Sequence, residues 1–336
     1  MKSDIARQPL VPAFLTLLVL GGATAWSFAF ADTSAAVVAA DPAVGGLVLD
    51  MPARVVVDFQ AARPGWARLL ATLAFMLAAL ATGRMTLRHG LYGVSTCLAV
   101  PLAGLFMLGL LQGAGSLAVT TGALLLAYST KNFARSFRNG YAFDALLRGG
   151  GYLGLLVVLF PATLPLAALL PFACLLFRRT LREAAVALFG AVLPLLLFAY
   201  VNWGAGGRFA APFEALGGVF VGDYLAALRG MSLAAWFFAA FLALLGAAAV
   251  AALLRNLYGV GTQPRFILVY NIGVLALVVL LFAGPAASPA LLPLAAVPSA
   301  VLAPVLFVRV RPALATLLYA VSFALAALHV ALQYAI

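Results

Sequence analysis

The sequence predicts an all-α, polytopic transmembrane bundle of about ten or eleven helices, one integral membrane domain over residues 1–336. Three observations predict it. Of 336 residues, 66% are hydrophobic and only 9% are charged, whereas an ordinary soluble domain carries about 25% charged residues. A soluble fold this apolar would expose large greasy patches, so the bilayer is the solvent that suits it. The apolar residues fall in runs of membrane-spanning length, and inside lipid such runs must be helices because every backbone group has to be satisfied internally. The basic residues sit singly or in small groups between those runs, which is how topology is encoded. The net charge of +11 is therefore not a nucleic-acid signal. Short alternating segments of the kind that build a β-barrel are not seen.

The first apolar span is Leu10–Ala31, followed by Trp66–Gly83, Leu91–Leu111 and the short Gly115–Ala127. Gly151–Phe177 is interrupted by Pro161, Pro165 and Pro171. It is too long for one ordinary span and too short for two, so a bent hairpin of two short helices meeting near Pro161 is expected, with one long proline-kinked helix as the alternative. Gly149, Gly150 and Gly151 are expected to let the chain bend into that hairpin. The remaining spans are Glu183–Trp203, Ser232–Leu254, Phe266–Ala283, Pro289–Val308 and Pro312–Ile336. Ala29-Phe30-Ala31 resembles a signal-peptidase site, but the preceding apolar run exceeds the usual signal core, so an uncleaved first helix is expected. Two long external loops, about 32–65 and 204–231, are expected to carry a short interfacial helix over Pro52–Gln60 and a helix over Tyr224–Arg229 capped by Asp223.

With the hairpin and a cytoplasmic N-terminus, 15 of the 20 basic residues fall on inside segments with 3 acids, and 5 fall outside with 6 acids. Net charge is +12 inside and −1 outside, and this bias predicts a cytoplasmic N-terminus and a periplasmic C-terminus.

The densest charged stretch is Ser129–Arg148, where Lys131, Arg135, Arg138 and Arg148 alternate with Phe133, Phe137, Tyr141 and Phe143. Asp144 and Arg148 form a favourable i,i+4 pair. Arg178, Arg179 and Arg182 return to the same side, and Glu183 suits the N-terminus of the next helix. The basic stretch could hold an anionic lipid head group or a phosphorylated substrate, and Arg135, Arg138, Arg178, Arg179 and Arg182 are the candidate head-group site, against the simpler reading of a topogenic basic loop. Asp50 and Asp58 are the candidate catalytic carboxylates. They sit in the first long external loop, where membrane glycosyltransferases that use polyprenyl-phosphate sugars place a general base. The spans contain essentially no ionisable residue in their interiors except His329, which is read as a neutral packing residue. Cys97 and Cys174 are read as small buried hydrophobes. No Cys/His cluster marks a metal site, no nucleotide or hydrolase motif is present, and no cofactor is implied.

The segments RHGLYGVST from Arg88, YSTKNFARSFRNGYAFDALLRGGGYLGLLVVLFP from Tyr128, LLFRRTLRE and the tail LLPLAAVPSAVLAPVLFVRVRPALATLLYA resemble an uncharacterised multi-pass family of the Bacteroidota. The resemblance covers most of the chain and implies an inner-membrane location in a diderm bacterium. It implies no activity, because the shared motifs are topogenic and hydrophobic. The expected class is a subunit or accessory factor in cell-envelope lipid or glycan assembly, with membrane lipids and other envelope proteins as partners. The alternatives are a polyprenyl-phosphate-sugar glycosyltransferase and a transporter of a small or lipid-linked substrate.

Overall fold

A computed structural model describes residues 5–30, 47–49, 51–111, 116–137, 140–221 and 223–335, and its regular elements are all helical. In chain order they are α1 (Leu10–Phe30), α2 (Pro52–Ala62), α3 (Pro64–Arg88), α4 (Ala99–Leu110), α5 (Ser116–Ser136), α6 (Phe143–Leu159), α7 (Leu169–Leu176), α8 (Leu181–Gly204), α9 (Ala211–Gly217), α10 (Ala226–Arg229), α11 (Leu233–Arg255), α12 (Thr262–Leu281), α13 (Ala296–Phe307) and α14 (Pro312–Ala335). Two 3₁₀ segments, Pro161–Ala168 and Pro289–Ala295, lead directly into α7 and α13. Among the described residues, six segments are long and apolar enough to cross a membrane: α3, α8, α11, α12, α14 and the Pro289–Phe307 unit. They match six of the ten spans read from the sequence.

Local chemistry explains the helix starts. Pro52, Pro64 and Pro312 each occupy the first position of their helix, where the missing N–H removes no intrahelical bond and φ is already helical. Ser232 accepts the Ala235 N–H at 3.2 Å and so caps α11. At α8, the Thr180 hydroxyl accepts the Glu183 N–H while the Glu183 carboxylate accepts the Thr180 N–H, a reciprocal capping box.

The third span differs from the sequence reading. Helix α4 has only twelve residues, a rise of about 18 Å that is well short of the ~30 Å hydrocarbon core. Gly90 and Gly93, at φ of 56° and 69°, break the chain before it. All twelve residues of α4 are buried, so it is a central strut wrapped by longer helices rather than a lipid-facing crossing. Around it, Leu17 and Leu20 of α1 and Phe75 of α3 close over Gly104, and Phe238 of α11 lies against Gly109.

The proline-broken segment does turn back. Helix α6 ends at Leu159, Phe160 is extended, and the chain returns through the 3₁₀ segment and α7. The start of α8 then lies beside the start of α6, where the Ala142 N–H donates to Glu183 Oε1 at 2.9 Å. The limbs differ from expectation, however. Helix α6 begins at Phe143, so Gly149–Gly151 lie within it and do not form the bend. Their role is packing: a Cβ at Gly150 or Gly154 would overlap the Ala187 or Ala191 carbonyl of α8, and one at Gly190 would overlap the Leu147 carbonyl. These close approaches advance by four residues on both helices, so α6 and α8 run parallel.

Hydrogen bonds between elements mark the two ends of the bundle. At one end Gln8 O accepts from Cys97 N at 3.0 Å, Gln263 Nε2 bonds His89 Nδ1 at 2.8 Å, and Arg309 reaches the Ala252 carbonyl. At the other, Gln60 Oε1 accepts from Leu117 N at 3.2 Å, and Asn202 Oδ1 accepts from Val48 N and Leu49 N at 2.9 and 3.2 Å. His329 is buried near this second end, where its Nε2–H donates to the Leu111 carbonyl at 3.1 Å. The expected interfacial helix is α2, with Val55, Val56 and Asp58 outside its buried edge. Asp223 does not cap α10; its carboxylate pairs with Arg229 at 2.8 Å.

Candidate functional site

The end of the bundle marked by Gln8, His89 and Gln263 is strongly basic. Of the 15 basic residues assigned to inside segments, Lys2 and Arg138 lie outside the described residues, and the other 13 all fall at this end. The other end carries Arg54, Arg63, Arg68, Arg208 and Arg229, with Glu214 paired to Arg208 and Asp223 to Arg229. Asp50 also lies outside the described residues, and Asp58 is exposed on α2.

At the basic end, the four described arginines of the head-group candidate take different positions. Arg179 is a structural clasp. Its side chain is 9% exposed, and it reaches the Ser136 carbonyl, the Gly140 carbonyl at 3.1 Å and Glu183 Oε1 at 3.2 Å. Glu183 is buried and also accepts from Ala142 N and from the Thr180 N–H and hydroxyl. One ion pair thus ties the α5–α6 connection to the start of α8. Loss of either partner of a buried pair is costly, because it leaves the other charge uncompensated.

Arg178 sits just past α7 at φ 52°, the left-handed position that ends a helix when the Arg179 N–H bonds back to the Cys174 carbonyl at 2.8 Å. Its side chain lines a shallow cavity of about 310 Å³ with Arg179, Arg265, Phe137, Phe177 and Phe266. Arg265 there lies over the Tyr258 and Phe266 rings at 5.6 and 5.5 Å. Arg182 is exposed and outside this cavity.

Arg135 belongs to a second cavity, of about 240 Å³, between α3, α5 and α6. Each helix presents one face at helical spacing: Arg84 and Arg88 from α3, Tyr128, Lys131, Asn132 and Arg135 from α5, Arg148 and Tyr152 from α6. Residues four apart stack on one side of a helix, so the three faces converge. Among the described residues, five cations line the cavity and no acidic side chain does. Arg148 is shared with Asp144 at 2.8 Å in an exposed pair. Lys131 lies beyond the apolar part of α5, with its ammonium 4.9 Å from the Tyr128 ring centre. Partial burial, followed by the charges of Arg84, Arg88 and Arg135, pushes its pKa below the ordinary lysine range. Tyr128 and Tyr152 stack at 5.4 Å.

The helices are held in place from below. The Ser129 hydroxyl donates to the Gly149 carbonyl at 2.8 Å, and a Cβ at Gly149 would press on the Phe133 ring at 3.3 Å. Phe133 is buried against the Tyr270 ring and Phe137 is half-buried against the Phe177 ring, so these two aromatics of the basic loop pack on the core. The sequence reading placed Lys131 and Arg148 with Arg135 in one basic stretch but left them out of the head-group candidate, and it did not bring Arg84 and Arg88 to Arg135. The i,i+4 spacing of Arg84 with Arg88, Lys131 with Arg135 and Arg148 with Tyr152 was the available signal.

This fold and its one-sided charge define a multi-pass α-helical membrane protein. No family model, no curated protein and no solved structure matches the chain.

Proposed function

We propose that the chain is a bacterial inner-membrane protein whose basic end faces the cytoplasm and engages anionic lipid head groups, acting as a subunit or accessory factor in envelope lipid or glycan assembly. The observation that carries this reading is the collection of 13 described basic residues at one end of the bundle. Such an excess marks the cytoplasmic side, and it attracts anionic lipid by about 1 kcal/mol for each Lys or Arg near the surface. The glycosyltransferase reading gains no support from the outer acids, because Glu214 and Asp223 are each tied to an arginine and Asp58 stands exposed on α2.

The test is side-specific labelling. With buried Cys97 and Cys174 replaced by alanine, single cysteines go to Tyr258 at the basic end and Val221 at the other, which are 90% and 79% exposed. An impermeant maleimide is expected to label Val221→Cys in intact spheroplasts, and Tyr258→Cys only after permeabilisation. Labelling of Tyr258→Cys alone in intact cells would overturn the orientation. Co-purified lipid is expected to be enriched in anionic species over the bulk membrane; bulk composition would overturn the head-group reading.

A further inference from the structure

We propose that the cavity between α3, α5 and α6 is a specific site for a phosphate-bearing ligand, a phosphomonoester or diphosphate group carrying about two negative charges. The inference rests on the reading that the basic end engages anions, but not on which side of the membrane that end lies.

Charge is the first reason. Arg84, Arg88, Lys131, Arg135 and Arg148 converge from three helices, no acidic side chain is among the described lining residues, and Asp144 meets Arg148 in an exposed pair. Topology alone needs positive charge near the helix ends and is satisfied by scattered residues. It does not call for a lysine pressed among three arginines, where like charges raise the free energy of the empty site. A bound multivalent anion reverses that cost. Geometry is the second reason. Arginines from α3, α5 and α6 line one space, and several guanidinium groups around one site suit the several oxygens of a phosphate better than the two of a carboxylate. Lys131, poised over Tyr128 at 4.9 Å, adds a point charge at the wall.

Size is the third reason. At about 240 Å³ the cavity is smaller than the ~300–1,000 Å³ of pockets that enclose a whole drug-sized ligand. It accepts a head group and leaves acyl or prenyl chains outside. The stacked Tyr128 and Tyr152 form an amphipathic wall, as aromatic residues do at the membrane–water interface.

The experiment uses the full chain in phosphatidylcholine nanodiscs, where both faces are accessible whatever the cellular orientation. Thermal unfolding is followed as phosphatidic acid is added to the discs or inorganic pyrophosphate to the buffer. At least one probe is expected to raise the unfolding temperature of the wild type. Lys131→Gln and Arg84→Gln are each expected to raise the half-saturating concentration about tenfold. Arg182→Gln, outside the cavity, should leave it unchanged. A response to phosphatidic acid alone assigns the site to a lipid; a response to both assigns it to phosphate groups generally. Arg135→Gln, exposed at the cavity, replaces either variant that fails to fold. No response to either probe, or one that the cavity substitutions leave intact, overturns the site, while the labelling result for orientation stands or falls separately.

Discussion

At the scale of single residues, the same side-chain type serves three ends within a few positions. Arg178 marks a left-handed helix stop, Arg179 is a buried clasp and Arg182 is solvated. The difference is made by Glu183, which accepts from Ala142, Thr180 and Arg179 in one buried cluster. Removing one partner of such a pair leaves an uncompensated buried charge. Glu183→Ala is therefore expected to destabilise the protein by about 3 kcal/mol, read as a fall in unfolding free energy in a reversible detergent-denaturation titration. Arg182→Ala should change it by less than about 0.5 kcal/mol. Glu183 was legible in the sequence as a helix-start residue. The grip that it and Arg179 take on Ala142 and Gly140 was not, because that needs the α5–α6 turn brought back beside α8.

At the scale of elements, the α6–α8 pair shows how backbone approach replaces side-chain interdigitation. In lipid no hydrophobic drive brings helices together, so close packing of small residues supplies the attraction. Gly150, Gly154 and Gly190 meet carbonyls of the facing helix, whereas Gly151 has only the Gly190 carbonyl nearby, at 3.7 Å from where its Cβ would lie. Gly154→Val is expected to force the helices apart and cost about 1–3 kcal/mol. Gly151→Ala is expected to be neutral or stabilising, since alanine is the better helix former by about 1 kcal/mol. Comparing the two unfolding free energies checks the assignment. The glycine run read from the sequence as a bend is thus a packing surface. The sequence shows that three glycines adjoin, but the helix opposite them is set by the later return of the chain.

At the scale of the whole molecule, orientation is expected to rest on many charges. Arg178 and Arg182 are two of the 13 described basic residues at one end. Because positive residues act together across short loops, the double variant Arg178→Gln/Arg182→Gln is expected to keep the wild-type labelling pattern at positions 221 and 258. An inverted pattern would show that the α7–α8 turn alone dominates insertion. The architecture around these charges places α4 and the Pro289–Phe307 unit inside a ring of longer helices. Helices apolar on all sides are suited to either lipid or a protein interior, so the sequence does not distinguish them.

Composition, run length and charge spacing by themselves determined the class: helices across a membrane, with the positive residues on one set of connections. These properties depend on transfer from water and on local backbone satisfaction, which each segment settles alone. Only the tertiary structure decided that α4 is an interior strut, that Gly150 and Gly154 seat α8, that Arg179 and Glu183 together hold the α5–α6 connection, and that Arg135 joins Arg84, Arg88, Lys131 and Arg148 around one cavity. Each of these pairs residues distant in sequence, and such pairing is set by shape and close contact between whole helices, for which a hydropathy pattern carries no coordinate.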